Sequence, residues 1–259
     1  MRARVLTALA LIPLVLLAVF STSPLPLLIL GGLAVVISSL ELAHMTTGRR
    51  SWIPPVGGLI LWGAGAWALV QTQGWAAWLP GLAGLGILAW AAIMKGCRRW
   101  IYIEIAGLYP ASALYSLALL HQLLPAAGAW NMSNVVLLAL LPLWAGDTAA
   151  IFIGRSFGKT PLAPAISPNK TWEGAVANLL AALAVALALA PWLGIDLRRA
   201  ALAGLAMGVL GQAGDLLESA LKRSLGQKDS GSLLPGHGGL LDRIDSLLLA
   251  SLGVWLILR

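Results

Sequence analysis

Five of the ten acidic residues in this 259-residue chain fall in three short stretches. Asp147 lies in Trp144-Ala-Gly-Asp-Thr, Asp215 and Glu218 in Gly214-Asp-Leu-Leu-Glu, and Asp242 and Asp245 in Leu241-Asp-Arg-Ile-Asp. Asp215, Glu218 and Ser219 stand at offsets of three and four, so a helix would present them on one face. Asp242 and Asp245 repeat that spacing. The connection between these two groups carries Lys222, Arg223, Lys228, Asp229 and a Gly236-His-Gly-Gly turn, and Arg243 follows it. Helix ends bearing carboxylates, joined by a basic, glycine-containing loop, suit a divalent cation and a polyphosphate together.

A second polar stretch runs from Gly154 to Glu173. Within it, Ser167-Pro-Asn-Lys-Thr reads as a rigid turn that delivers Lys170 and the donors Ser167 and Asn169 to the start of the next helix. A helix N-terminus favours anions, and Lys170 adds a full positive charge. The alternative stays open at this level: the prolines end one element, Thr171 caps the next, and Lys170 follows the charge bias of membrane loops. His237 has no second histidine nearby. It is either a hydrogen bonder that shapes its turn, or a phosphate contact or proton shuttle.

The elements that position these groups are membrane helices. The chain is 59% hydrophobic and 10% charged, with mean hydropathy +0.87, whereas soluble domains carry about 25% charged residues. Apolar runs predict an all-α, polytopic integral membrane protein with nine spans, at 5–21, 25–41, 54–71, 75–94, 105–124, 133–153, 173–193, 200–218 and 240–258. They form one domain over 1–259, and its active region is built from 144–174 and 215–245. Gly204-x-x-x-Gly208 allows close helix approach. Trp52, Trp75, Trp78, Trp100, Trp130, Trp172 and Trp192 sit near predicted ends as interfacial anchors.

Nine spans divide the 17 Lys and Arg residues fourteen to three, with only Arg198, Arg199 and Arg259 opposite the N-terminal side. That bias predicts a cytoplasmic N-terminus and a C-terminus on the other side. All five acids then converge on the cytoplasmic edge, and charged groups at membrane depth mark function. The net charge of +7 is dispersed among loops, which argues against a nucleic-acid surface. Cys97 is the single cysteine, so there is neither an intramolecular disulfide nor a cysteine metal cluster. Met1-Arg-Ala-Arg and the following apolar run are similar to a secretory signal, but the first span is expected to be retained because no convincing cleavage region flanks it. Glu41, near the cytoplasmic end of the second span, could pair with basic residues and has no role assigned from sequence.

The order Ser219-x-Leu-Lys-Arg, four residues, Lys228-Asp, then Leu234-Pro-Gly-His-Gly-Gly-Leu-x-Asp-Arg-Ile-Asp resembles the signature of the phosphatidate cytidylyltransferases, without departure. Ser167-Pro-Asn-Lys-Thr-x-Glu-Gly and Trp144-x-Gly-Asp-Thr followed by Gly154-Arg-x-Phe-Gly-Lys are also similar to that family. The resemblance implies that CTP and phosphatidic acid give CDP-diacylglycerol and pyrophosphate for phospholipid synthesis. It further implies Mg²⁺, alone or with a second cation, a homodimer, and a bacterial inner-membrane enzyme facing the cytoplasm. On this reading Asp215 and Asp242 hold the metal, with Asp147 or Asp245 helping directly or through water. Asp215, Asp242, Asp245 and Lys170 are the catalytic candidates. Ser167, Asn169, Lys170, Ser219, Lys222, Arg223, Lys228, Asp229, His237 and Arg243 are the substrate-binding candidates. A CTP-dependent polyprenol kinase or CDP-archaeol synthase would share an intramembrane metal site without explaining the full 219–245 pattern. An ion-coupled transporter would place its acids near the bilayer midplane in repeat-related halves, and no repeat is visible here.

Overall fold

The computed structural model describes residues 2–48, 53–70, 98–124, 130–231 and 238–259. The expected fourth span, with Cys97, His237, Trp52, Trp75, Trp78 and the side chain of Trp100, lies outside the described residues. Eight helices are described: α1 (Arg2–Phe20), α2 (Leu25–Thr47), α3 (Ile53–Val70), α4 (Arg98–His121), α5 (Leu137–Phe157), α6 (Trp172–Leu193), α7 (Leu197–Ser224) and α8 (Leu241–Leu258). Four are long and apolar enough to cross a membrane: Leu25–Thr46, Leu137–Phe157, Trp172–Leu193 and Leu197–Ser224. The chain is thus a mostly helical integral membrane protein.

One departure from an all-α chain matters for the site. Residues 161–171 form an antiparallel hairpin, β1 (Pro161–Ala163) and β2 (Ser167–Thr171), with Pro161 opposite Thr171 and Ala163 opposite Ser167. Pro161, Pro164 and Pro168 forbid a helix, and the extended backbone pairs instead. Glu173 then fastens the hairpin to α6, accepting from the Thr160 amide at 3.2 Å and its hydroxyl at 3.1 Å.

The helix ends sort into two edges. On one, Asn134 donates to Val19 O at 3.0 Å, Asn131 N donates to Phe20 O at 2.8 Å, and His121 Nε2 lies 3.0 Å from Ser21 O. These contacts join the ends of α1 and α4 to the start of α5. The other edge gathers the ends of α2, α5 and α7 and the starts of α6 and α8. α3 and α4 run parallel, since Gly58 packs on Gly107 and Gly65 on Tyr115.

Small residues bring the C-terminal helices close. A Cβ at Gly204 would lie 2.9 Å from Leu183 Cα, and one at Gly208 would lie 2.9 Å from Leu179 Cα, which is the close approach the Gly204-x-x-x-Gly208 spacing predicts. Gly214 continues the stripe against the Asp245 carbonyl. α7 has 28 residues and so is about 42 Å long, against about 30 Å of hydrocarbon. It is thus longer than a span needs, and its acid-bearing last turns, Asp215 to Ser224, lie at the edge where α8 begins.

Candidate active site

At that edge the ends of α5 and α7, the starts of α6 and α8, and the hairpin enclose a cavity of about 820 Å³. Asp147, Asp215, Asp242 and Asp245 all line it, with Arg155, Asn169, Lys170 and Arg243. Lys170 reaches from the last position but one of β2 to Asp215 on α7, with Nζ 2.6 Å from Oδ2. Thr171 caps α6 by accepting from Gly174 N at 3.2 Å, so the capping reading of this segment holds while its lysine faces the acids. Ser219 donates to Asp215 Oδ1 at 3.2 Å, along the helix face expected from the spacing.

Asp242 is the most tightly held of the acids. Its Oδ1 accepts from Lys222 Nζ at 2.6 Å, and its Oδ2 accepts from Ser230 N at 3.0 Å and Gly239 N at 2.9 Å. Lys222 also lies 3.1 Å from Glu218 Oε1, so this buried lysine bridges two helices within the protein. It does not line the cavity. Asp245 follows one turn after Asp242, and its carboxylate accepts from Ser246 N at 2.6 Å.

The remaining sequence candidates divide by position. Arg223 binds Ile166 O at 3.3 Å and Gln227 O at 3.1 Å, tying the end of α7 to the hairpin turn. Ser167 lies in β2, and Lys228 and Asp229 in the loop after α7; none of the three borders the cavity. His237 is outside the described residues.

Two positioning residues escaped the sequence reading. Asn178 Nδ2 donates to Asp147 Oδ1 at 3.2 Å, and Gln212 Nε2 donates to Ala175 O at 3.1 Å while lying 3.4 Å from Asn178 Oδ1. Each is a lone amide inside an apolar helix, a signal that polar groups at membrane depth have work to do. Arg155, expected only as a loop charge and as part of the Gly154-Arg-x-Phe-Gly-Lys stretch, also lines the cavity.

Whether the site suits a cation can be judged from its donors. Among the described residues, no three of His, Cys, Asp and Glu are grouped closely enough to hold a metal by themselves. Mg²⁺ does not require that, because it binds through one or two carboxylates with water and substrate phosphate. Asp215 and Asp242 provide hard oxygens on one cavity, and Asp147 and Asp245 are close at hand. Four carboxylates against the three cationic side chains of the lining leave no surplus of positive charge for an anionic substrate. The donor set fits Mg²⁺.

The lining also has an apolar part, Leu143, Trp144, Ala150, Ile151 and Leu162, the first four on the same face of α5 as Asp147. Ile151 is 52% exposed, so this part continues onto the outer face of α5. The cavity therefore combines charged side chains with apolar ones, of which Trp144 and Ile151 are exposed on α5.

The cytidylyltransferase family model matches residues 2–259. The chain belongs to the cytidylyltransferase family. Among its relatives are the phosphatidate cytidylyltransferase of Bacillus subtilis (strain 168), 49% identical over 42% of this chain and 42% of that protein, and the phosphatidate cytidylyltransferase of Brucella suis biovar 1 (strain 1330), 41% identical over 67% of this chain and 60% of that protein. A protein of Escherichia coli (strain K12) named "Uncharacterized protein YnbB" is 37% identical over 64% of this chain and 58% of that protein. The matched stretches thus span about half the length of these relatives.

Proposed function

We propose that this protein is a CTP:phosphatidate cytidylyltransferase that makes CDP-diacylglycerol and pyrophosphate. The observation that carries the reading is the cavity itself, where carboxylates and cationic side chains share one lining with apolar residues, Ile151 among them exposed on α5. A substrate with a phosphate head and acyl tails matches both kinds of residue. A free nucleotide alone would need only one of them.

A phosphate oxygen of phosphatidate attacks the α-phosphorus of CTP in line. The new phosphoanhydride bond forms as the bond from the α-phosphorus to the bridging β-phosphate oxygen breaks, and pyrophosphate leaves with that electron pair. A phosphate monoester already carries nearly two negative charges near neutral pH, so no strong general base is needed. Holding two anions together is the main task, and alignment and charge stabilisation perform it. Lys170, Arg243 and Arg155 supply fixed positive charge in the cavity, and Asn169 supplies a neutral donor. Lys222 orients Asp242 from behind. Mg²⁺ held by Asp215 and Asp242, with Asp147 or Asp245 close by, would neutralise charge on the reacting phosphates when bound. Lys228, Asp229, Ser167 and Arg223 shape the surrounding loops on this reading.

The proposal extends to topology. Nine spans, a cytoplasmic N-terminus and a C-terminus on the opposite side place the cavity at the cytoplasmic face, where CTP is available. The gathering of the acid-bearing helix ends on one edge supports this arrangement, as does the parallel run of α3 and α4. A bacterial inner membrane and a homodimer complete the reading.

The test uses purified protein in detergent with phosphatidic acid, Mg²⁺ and CTP labelled in the cytosine ring or at the α-phosphate. Label should enter the lipid phase, and EDTA should abolish the transfer. Entry of label from [γ-³²P]CTP would make the protein a lipid kinase instead. No nucleotide consumption by folded protein with any phospholipid acceptor would overturn the enzyme reading.

A further inference from the structure

α8 carries Asp242, Arg243 and Asp245 into the cavity, so whatever fixes its first turn fixes the site. Leu240, at the N-cap position, has no side-chain oxygen to cap the free N–H groups there. The cap comes from another helix. Glu41, near the end of α2 and some two hundred residues away in sequence, accepts from Leu240 N with Oε1 at 2.9 Å and from Leu241 N with Oε2 at 2.9 Å. Ser230 Oγ adds a third donor to Oε2 at 3.3 Å. Asp242 accepts from the N–H of Gly239, just before the helix.

Glu41 is 9% exposed, and no Lys or Arg forms an ion pair with it among the described residues. A carboxylate so buried is costly unless charge and hydrogen bonds compensate, and the positive end of a helix with two aligned N–H groups does both. The loop is shaped around it. A Cβ at Gly231 would lie 2.9 Å from Glu41 Oε1, and one at Gly239 would lie 2.7 Å from Oε2. Ser230 then links the two clamps, its hydroxyl on Glu41 and its amide on Asp242.

We infer that Glu41 is a positioning residue for the active centre, acting through the first turn of α8 to hold Asp242 and Asp245 at the cavity. The N-terminal helices thereby contribute to the reaction through one carboxylate. The inference rests on the proposed function only for its kinetic readout.

Two measurements on the full-length protein in detergent test it. Hydrogen exchange is followed in a peptide covering 238–245 for the unmodified protein, Glu41→Gln and Glu41→Asp, with a peptide from the middle of α7 as internal reference. Glu41→Gln keeps the shape but puts an amide N–H₂ where a second acceptor is needed. Exchange in 238–245 should rise about tenfold or more while the α7 peptide is unchanged, and Glu41→Asp should recover part of the protection. In cytidylyl transfer, Glu41→Gln should lower kcat about 10- to 100-fold, as loss of a supporting hydrogen bond behind a ligand does, with KM for CTP within about twofold by the same reasoning. Unchanged exchange in 238–245, a rise spread equally over α7, or local loosening with unaltered kcat would each overturn the inference. Absence of transfer in the unmodified protein would count against the proposed reaction, while the local exchange difference would still decide whether Glu41 clamps α8.

Discussion

Lys170 and Asp215 meet at 2.6 Å across the mouth of the cavity, and this pair joins the hairpin to the polar end of α7. Both side chains remain partly exposed, at 26% and 33%, so the contact is a poor stability device; surface pairs contribute about 1 kcal/mol or less. Its value lies in placing a cation beside an acid that an incoming phosphate or metal can share. Lys170→Ala should therefore leave thermal stability nearly unchanged and raise KM for CTP or phosphatidate about 10- to 100-fold, the worth of a charged hydrogen bond. Asp215→Asn should instead lower kcat about 10²- to 10³-fold, as loss of a charge-stabilising group does. Steady-state kinetics with each substrate varied in turn separates the two, and unaltered constants in both variants would remove the pair from the site.

Lys222 behaves differently because it is buried. Glu218 and Lys222 have side chains 7% and 9% exposed, and Lys222 touches Asp242 as well. Among the described residues, Glu218 Oε2 has no hydrogen-bond partner. Removing the lysine leaves two carboxylates without their counter-charge, which costs about 3–5 kcal/mol in comparable cases. Lys222→Met should lower the thermal midpoint in detergent strongly. Lys222→Met combined with Glu218→Gln should recover part of the loss, since one stranded charge is gone. A single variant as stable as the parent would show that the bridge is not a structural element.

Much of this arrangement was legible in the chain. Hydropathy located each described helix, with ends displaced by up to seven residues, as at Arg98 against the expected 105, because a membrane helix must satisfy its backbone internally and so declares its apolar length. The ends were less legible. The expected spans 25–41 and 200–218 continue to Thr47 and Ser224, since the apolar pattern stops at the slab but backbone hydrogen bonding does not. The hairpin was hidden by its prolines, which look like a rigid turn and leave only short paired segments. Acid spacing indicated which carboxylates face together, yet it could not show that Lys222 is sequestered behind Asp242 or that Arg223 props the hairpin. Those depend on where the loop after α7 folds back. Glu41 was visible as a lone acid in an apolar helix. Its partners are backbone N–H groups some two hundred residues away, which no local pattern encodes.

Asn178 offers the sharpest separation of orientation from charge. Its amide donates to Asp147 Oδ1 at 3.2 Å, and Gly146 leaves room for it, since a Cβ there would lie 3.0 Å from the Asn178 amide group. Gln212 braces the same group from α7. Asn178→Ala removes the donor without adding charge, so Asp147 should lose its fixed direction. Activity should fall about tenfold, a typical loss for a group that orients a ligand, and more Mg²⁺ should be needed for half-maximal rate. Asn178→Asp is nearly isosteric but sets a second carboxylate against Asp147. Like charges that close oppose joint ionisation, so activity should fall further. The deficit should ease as Mg²⁺ is raised, because added positive charge relieves the repulsion. A Mg²⁺ titration of initial rates with the three proteins distinguishes these effects. Identical half-saturation in all three would mean that Asp147 takes no part in binding the cation, and that its bond to Asn178 serves only to pack α5 against α6.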